Sequence, residues 1–307
     1  GCTRFFRQRP EEVTVVRLYA YISLHRKRWT VQQLCRVLKV SESGYYRSLK
    51  PTQRKVRQHA LLVKIKEILS RFPGNENYGA RRIHLALRQQ GEDISYSTVY
   101  RTLRAHGLLH KAKRYPNGIT REDAVAQKAE NLIARDFTAD APCQKWLTDI
   151  TEVPCRDGKL YVAPILDCFN GEIVGLAMDD NMQAQLCTRA FERACKSCSS
   201  RGMILHSDRG SQFTSRAFRA SLAKYGAIQS MSGTGRCYDN ARMESFFATL
   251  KKEKLYRIHT KKMPMEQVKS IIFRYIMVYY NRQRIYTSNP GGWPPSIYRQ
   301  LTLPEAA

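Results

Sequence analysis

The chain has 307 residues and a formal net charge of +26, and 43% of it is hydrophobic. That length suits two or three domains, and that apolar content supports proper cores, which excludes wholesale disorder. Residues 1–115 hold 25 Lys and Arg against 7 Asp and Glu, a concentration of charge that calls for a polyanionic partner, nucleic acid first.

No stretch approaches the roughly eighteen apolar residues of a bilayer span. The first residues show no signal-peptide run, and long amphipathic helices with apolar anchors are not evident. The chain starts at Gly1 rather than Met, as a segment of a longer product would. Among nine cysteines, Cys195 and Cys198 have no second pair or His cluster to complete a zinc knuckle. The expectation is a reduced, cytoplasmic, nucleoid-associated protein.

Residues 1–55 read as a helix-turn-helix module. Val13, Val16, Leu18 and Tyr19 begin an amphipathic helix, and Thr30 is placed to cap a helix over residues 31–37. Ser41 then caps a second helix carrying Tyr45, Tyr46 and Arg47, which would face a DNA groove. Residues 56–115 form a second helical module. It holds a helix over 56–71, a break at Pro73-Gly74, a helix over 78–90 ended by Gly91, and a helix capped by Ser95 or Ser97 that stops near Gly107. Its candidate DNA contacts are Arg81, Arg82, Tyr100, Arg101 and Arg104. Residues 116–140 are read as a connector with a turn at Pro116-Asn117-Gly118 and a short helix near 124–133.

From residue 141 the pattern changes. Segments 145–153, 160–168 and 172–178 are rich in Ile, Val, Leu and Tyr and are separated by Asp157-Gly158 and Asn170-Gly171, which predicts three successive strands. A helix over 183–198, a strand at 203–206, a helix over 215–225, a strand at 228–231 and helices over 240–254 and 265–281 follow. This order predicts an α/β, RNase H-like catalytic core over 141–285, a mixed five-stranded sheet with flanking helices, preceded by the all-α modules and followed by a tail over 286–307.

Three carboxylates stand out in that core. Asp149 lies inside a strand pattern, where an unpaired carboxylate is costly and a metal is a natural partner. Asp208 closes an apolar run just before Arg209-Gly210, and Glu244 stands on a helix, with 35 residues between the two. Two strand-borne aspartates and a helix-borne glutamate make an all-oxygen site suited to hard divalent cations and phosphodiester chemistry. That chemistry belongs to a nuclease or a polynucleotidyl transferase, and two DNA-reading modules favour the second. Lys251, two helical turns past Glu244, could reach a substrate phosphate. Asp167 is a candidate support for the site, whereas Asp179 and Asp180 end a strand and Asp239 reads as a helix cap. A non-enzymatic DNA-binding regulator is the remaining reading.

At these residues the chain resembles the DDE transposases of the insertion-sequence-three family, in the retroviral-integrase-like superfamily. The resemblance rests on Tyr78-Gly79-Ala80-Arg81-Arg82-Ile83, Trp146-Leu147-Thr148-Asp149-Ile150-Thr151, His206-Ser207-Asp208-Arg209-Gly210-Ser211-Gln212-Phe213, Asp239-Asn240-Ala241-Arg242-Met243-Glu244-Ser245-Phe246-Phe247 and Tyr280-Asn281-Arg282-Gln283-Arg284. Two features depart from the family pattern: Tyr286 stands where a His is usual, and residues 289–295 diverge from the common Leu-Gly pattern before Ser-Pro. The resemblance implies a transposase of a bacterial insertion sequence that binds double-stranded DNA at the terminal inverted repeats and at a target. It implies Asp149, Asp208 and Glu244 as catalytic metal ligands for two Mg2+ ions, with Mn2+ able to substitute. It further implies a homo-oligomer on DNA, and an upstream first-frame protein or fusion as partner.

Overall fold

The structure, a computed structural model, describes residues 14–49, 53–109, 130–134, 136–197, 201–233 and 240–303. The chain divides into two compact units, residues 1–64 and residues 65–307. No helix among the described residues is long and apolar enough to cross a membrane.

The first unit holds α1 (Val15–His25), α2 (Val31–Leu38) and α3 (Glu42–Leu49). Thr30 and Gln33 form a reciprocal capping box that starts α2, and Lys39 ends it in the left-handed region at φ 52°. Ser41 starts α3 by accepting the Gly44 N–H at 3.0 Å. The three helices close on Ile22, Leu34, Cys35, Leu38 and Tyr45. Helix α4 (Gln53–Arg71) crosses the division between the units.

In the second unit α5 (Ala80–Gln89) and α6 (Tyr96–Ala105) pair through Ile83, Leu87, Val99 and Leu103, all fully buried. Ser95 is the cap of α6, accepting the Thr98 N–H. This helical pair is not packed as a module apart from the core. The Tyr78 hydroxyl accepts the Ile285 N–H at 2.8 Å, Gln89 donates to the Gly291 carbonyl at 2.9 Å, and Arg82 pairs with Glu253 at 2.9 Å. The boundary expected near residue 115 is therefore not where the packing divides. Most of the connector, and with it most of the helix expected near 124–133, lies outside the described residues; the described residues 130–134 are not helical.

The sheet comprises β1 (Lys145–Thr148), β2 (Thr151–Cys155), β3 (Gly158–Asp167), β4 (Ile173–Asp179), β5 (Ile204–Ser207) and β6 (Ile228–Met231). Strand β3 pairs antiparallel with β1, β2 and β4, while β1, β5 and β6 run parallel. Tyr161 and Val162 pair with both β2 and β4, and Ile165 and Leu166 with both β1 and β4. Since a residue has only two neighbours in a sheet, β1 and β2 share one side of β3, and six strands fill the five positions expected.

Helices α7 (Ala184–Cys195), α8 (Ser211–Thr214) and α9 (Arg216–Lys224) bury Phe191, Phe213 and Phe218 against Trp146, Ile165 and Leu205 of the sheet. Close approach of α7 requires Gly175 on β4, where an added Cβ would meet the Ala190 carbonyl at 2.3 Å. Helix α10 (Ala241–Glu253) packs against β1, and α11 (Met265–Phe273) against β3. The helix expected over 265–281 changes to π-helical turns over Arg274–Tyr280.

The tail is folded, with α12 (Pro295–Thr302) fastened to the core. Arg299 pairs with the fully buried Asp167 at 2.8 Å and with Glu172 at 3.2 Å. Tyr286, the departure from the family's His, sets its ring against Gly171 and against Tyr280 at 6.0 Å and hydrogen-bonds Arg242. Among the described residues Cys35, Cys155, Cys168, Cys187 and Cys195 are free thiols, and Cys143 is disulfide-bonded.

Candidate active site

Strand register sets the position of Asp149. Thr148 lies opposite Ile165 and Thr151 opposite Val162, so β1 and β2 hold a single register against β3. Asp149 and Ile150 then face Pro164 and Ala163. Pro164 has no N–H for the ladder, and its carbonyl takes the Thr148 hydroxyl at 3.0 Å. The single strand expected over 145–153 is therefore interrupted at Asp149, leaving the carboxylate in a gap rather than within a ladder.

On its other side β1 pairs with β5, from Lys145 opposite Ile204 to Leu147 opposite His206. Continuing that register by two residues sets Asp149 opposite Asp208, on neighbouring strands about 4.8 Å apart. Both stand at the carboxyl ends of parallel strands, where open α/β sheets bind ligands.

Asp149 accepts the Ile150 N–H at 2.7 Å, and Asp208 accepts the Gly210 N–H at 3.0 Å. Burial first, and then the Asp208 and Glu244 charges, push the Asp149 carboxyl up to about 7, opposed by the Ile150 N–H and the Lys251 ammonium. Burial also raises Asp208, opposed by the Gly210 N–H. Each carboxylate is thus partly stripped of water beside another negative charge.

Glu244 is exposed in the first turn of α10. The start of that helix is tied to the strands: Asn240 donates Nδ2 to the Thr148 carbonyl at 3.2 Å, next to Asp149. Arg242 donates to the Phe137 and Cys168 carbonyls at 2.8 and 2.6 Å. Residues 234–239, including Asp239, lie outside the described residues.

Among the described residues no three His, Cys, Asp or Glu side chains are gathered closely enough to hold a metal ion. The donor chemistry nevertheless suits one. Two desolvated carboxylates repel each other, and the buried Asn240 Oδ1 beside them has no hydrogen-bond donor. A hard divalent cation would answer both deficits.

The remaining predicted residues divide sharply. Tyr46, Arg47, Arg81, Tyr100, Arg101 and Arg104 are exposed, and Lys251 is half-buried near Asp149. Tyr45 is fully buried, its hydroxyl 3.2 Å from Ser23 and its ring edge-on to Tyr19, so it holds α3 to α1 instead of facing a groove. Arg82 turns inward to Glu253. Asp167 does not support the site: the Cys143, Phe169 and Trp146 N–H groups and Arg299 occupy it.

Glu253 was not anticipated. It accepts Arg284 through Nε and Nη2 at 2.8 Å each, the Tyr275 hydroxyl at 2.8 Å, and Arg82. These contacts hold its carboxyl down to about 2 against burial. It thereby anchors the far end of the helix that carries Glu244. Nothing local marks this residue, because its partners lie far along the chain.

Comparison with known proteins agrees with this architecture. Residues 55–115 match the HTH-like domain family, and residues 139–237 and 244–303 match two integrase core domain families. The transposase InsF for insertion sequence IS3A of Escherichia coli (strain K12) is 35% identical over 292 residues, covering 93% of this chain and 99% of that protein. The insertion element IS600 uncharacterized 31 kDa protein of Shigella sonnei is 36% identical over 272 residues, covering 87% of this chain and 97% of that protein. Among solved structures, the HTLV-2 integrase catalytic core domain in complex with magnesium aligns with a TM-score of 0.39 at 17% identity, over 52% of this chain and 98% of that one. The chain belongs to the IS3 family of insertion-sequence transposases, with an HTH-like DNA-binding domain and an integrase core.

Proposed function

We propose that this transposase binds the terminal inverted repeats of its element and carries out metal-dependent strand cleavage and strand transfer, with Asp149, Asp208 and Glu244 as the catalytic carboxylates. The register that aligns Asp149 with Asp208 across β1 and β5 is the observation that carries the reading. The two aspartates would hold Mg2+, as two ions and with Mn2+ able to substitute, and Glu244 would complete the set. When bound, such ions stabilise the attacking and leaving oxygens of an in-line displacement.

The chain's own groups do the rest. Asn240 and Arg242 fix the start of α10, so the backbone beneath Glu244 is held relative to Asp149. Lys251 supplies a cation beside the carboxylates, suited to orienting a phosphodiester. Tyr46 and Arg47 on α3, Arg81 on α5, and Tyr100, Arg101 and Arg104 on α6 present polar or basic surface for the repeats, with phosphate contacts supplying salt-dependent affinity. Handling two element ends calls for a homo-oligomer on DNA, and an upstream first-frame protein or fusion would add a further DNA-reading unit.

The test is incubation with Mg2+ or Mn2+ and linear DNA carrying the element ends, beside a Glu244→Gln variant. Cutting and joining by the wild type alone is the expected result. Equal activity in the variant would remove Glu244 from the site, and cutting without joining would favour a nuclease.

A further inference from the structure

A groove of about 540 Å3 opens between β2 and the segment that joins α10 to α11. Its place follows from the sheet. Strand β2 is the outermost strand on its side, and a bare edge invites unwanted pairing. Two short 3-10 turns, Leu255–Arg257 and Thr260–Lys262, cover that side. The segment is fastened where the Met263 carbonyl accepts the Arg156 N–H at 3.0 Å and Asp157 accepts the Met265 N–H at 2.8 Å. The groove remains between the fastened segment and the strand.

The lining has two characters. Val153, Pro154, Leu255 and Ile258 supply apolar surface, and Tyr256 is 52% exposed at it. Lys251, Lys261 and Lys262 supply cations, the last two exposed, with His259 beside them. The single carboxylate in the lining, Glu152, is already paired with Lys159 at 3.0 Å. Cations around an aromatic ring and an apolar floor are the combination that holds nucleic-acid strands with little regard to sequence.

The groove also begins at the active site. Glu152 lies three residues beyond Asp149 on the same strand line, and Lys251 stands two helical turns past Glu244 on α10. The rest of the groove leads away from the carboxylates toward Lys261 and Lys262.

We propose that this groove receives unpaired nucleotides next to the reacting phosphodiester, with their phosphates on Lys251, Lys261 and Lys262 and a base stacked on Tyr256. The proposal rests on the assignment of Asp149, Asp208 and Glu244 given above, and it adds a binding track of low sequence preference to that site. Opening the duplex beside the cut would then be favoured by the protein itself.

The experiment measures binding in the Asp149→Asn protein, so that cleavage does not enter the readout. Forked DNA carrying 2-aminopurine beside the cut position is titrated over a range of salt concentrations. Stacking should quench the probe, and Tyr256→Ala should abolish the quench and weaken binding about tenfold, while Tyr256→Trp retains both. The pair Lys261→Ala and Lys262→Ala should reduce the slope of log affinity against log salt by roughly 1.4, the value for two contacts to a single strand. A control pair of exposed cations outside the groove lining, Lys196→Ala and Arg216→Ala, should leave the slope unchanged.

Equal loss of slope in the control pair would reduce the effect to general charge and overturn the proposal. A quench that survives Tyr256→Ala would overturn it as well, as would groove variants that bind and cut like the parent proteins. Absence of metal-dependent cleavage in the wild type would count against the carboxylate assignment instead, leaving the binding result to judge the groove.

Discussion

Replacing Asp149 with Asn should stabilise the metal-free protein while abolishing DNA cleavage. The side chain is forced to ionise where burial and neighbouring charges hold its carboxyl at about 7, against an ordinary value of 3.8. A shift of about three units corresponds to about 4 kcal/mol at 1.36 kcal/mol per unit, and about 2 kcal/mol once water reaching the site screens part of it. Asn keeps an oxygen for the Ile150 N–H, so the local hydrogen bond survives the change. The sign follows from proton linkage. The folded state holds its proton to higher pH, so wild-type stability falls as pH rises from 3.8 toward 7 and levels off above that range. The gap between variant and wild type should therefore widen across that window. Urea unfolding in EDTA, followed by tryptophan fluorescence with Trp146 buried in the sheet beneath the site, reads it directly. Millimolar Mg2+ should then stabilise the wild type and leave the variant unchanged, since ion and mutation relieve the same repulsion. A variant less stable than wild type at pH 8, or a gap independent of pH, would refute the electrostatic account.

Two further outcomes follow from buried groups. Glu253→Ala strands Arg284 without its partner and should cost about 3–5 kcal/mol in urea unfolding, while Glu253 itself contributes about 3 kcal/mol that is present above pH 4.5 and is lost as pH falls toward about 2. Tyr45→Phe should leave DNA affinity and its salt slope unchanged, whereas Arg47→Ala should lower the slope by roughly 1; equal losses in both would return Tyr45 to the DNA interface.

The proposed carboxylate site is legible in the sequence because each member carries its own local signal. An acid interrupting an apolar strand, an acid closing one, and an acid on an amphipathic helix can each be read within a few residues. Pairing decided what could not be read. Pro164 is visible in the sequence, but that it faces Asp149 and splits the strand depends on the register between β1, β2 and β3. Tyr45 and Tyr46 are neighbours on a short helix, and only packing against Ile22 and Leu34 settles which of them turns inward.

Charge misleads for a related reason. A guanidinium in a basic chain resembles a phosphate contact until its carboxylate is found, and the carboxylates here come from distant segments. Arg82 is claimed by Glu253 near the other end of the chain, and Asp167 is claimed by Arg299 across 132 residues. These buried pairs tie the second helical module, the Glu244 helix and the tail into one unit. Removing Glu253 would leave Arg284 buried without a partner, and removing Asp167 would leave Arg299 with Glu172 alone, so both acids are held by the fold whatever the DNA demands. Burial thus divides the positive charge: exposed Arg and Lys stay available to the proposed DNA contacts, while Arg82, Arg284 and Arg299 hold together the frame on which the proposed active site stands.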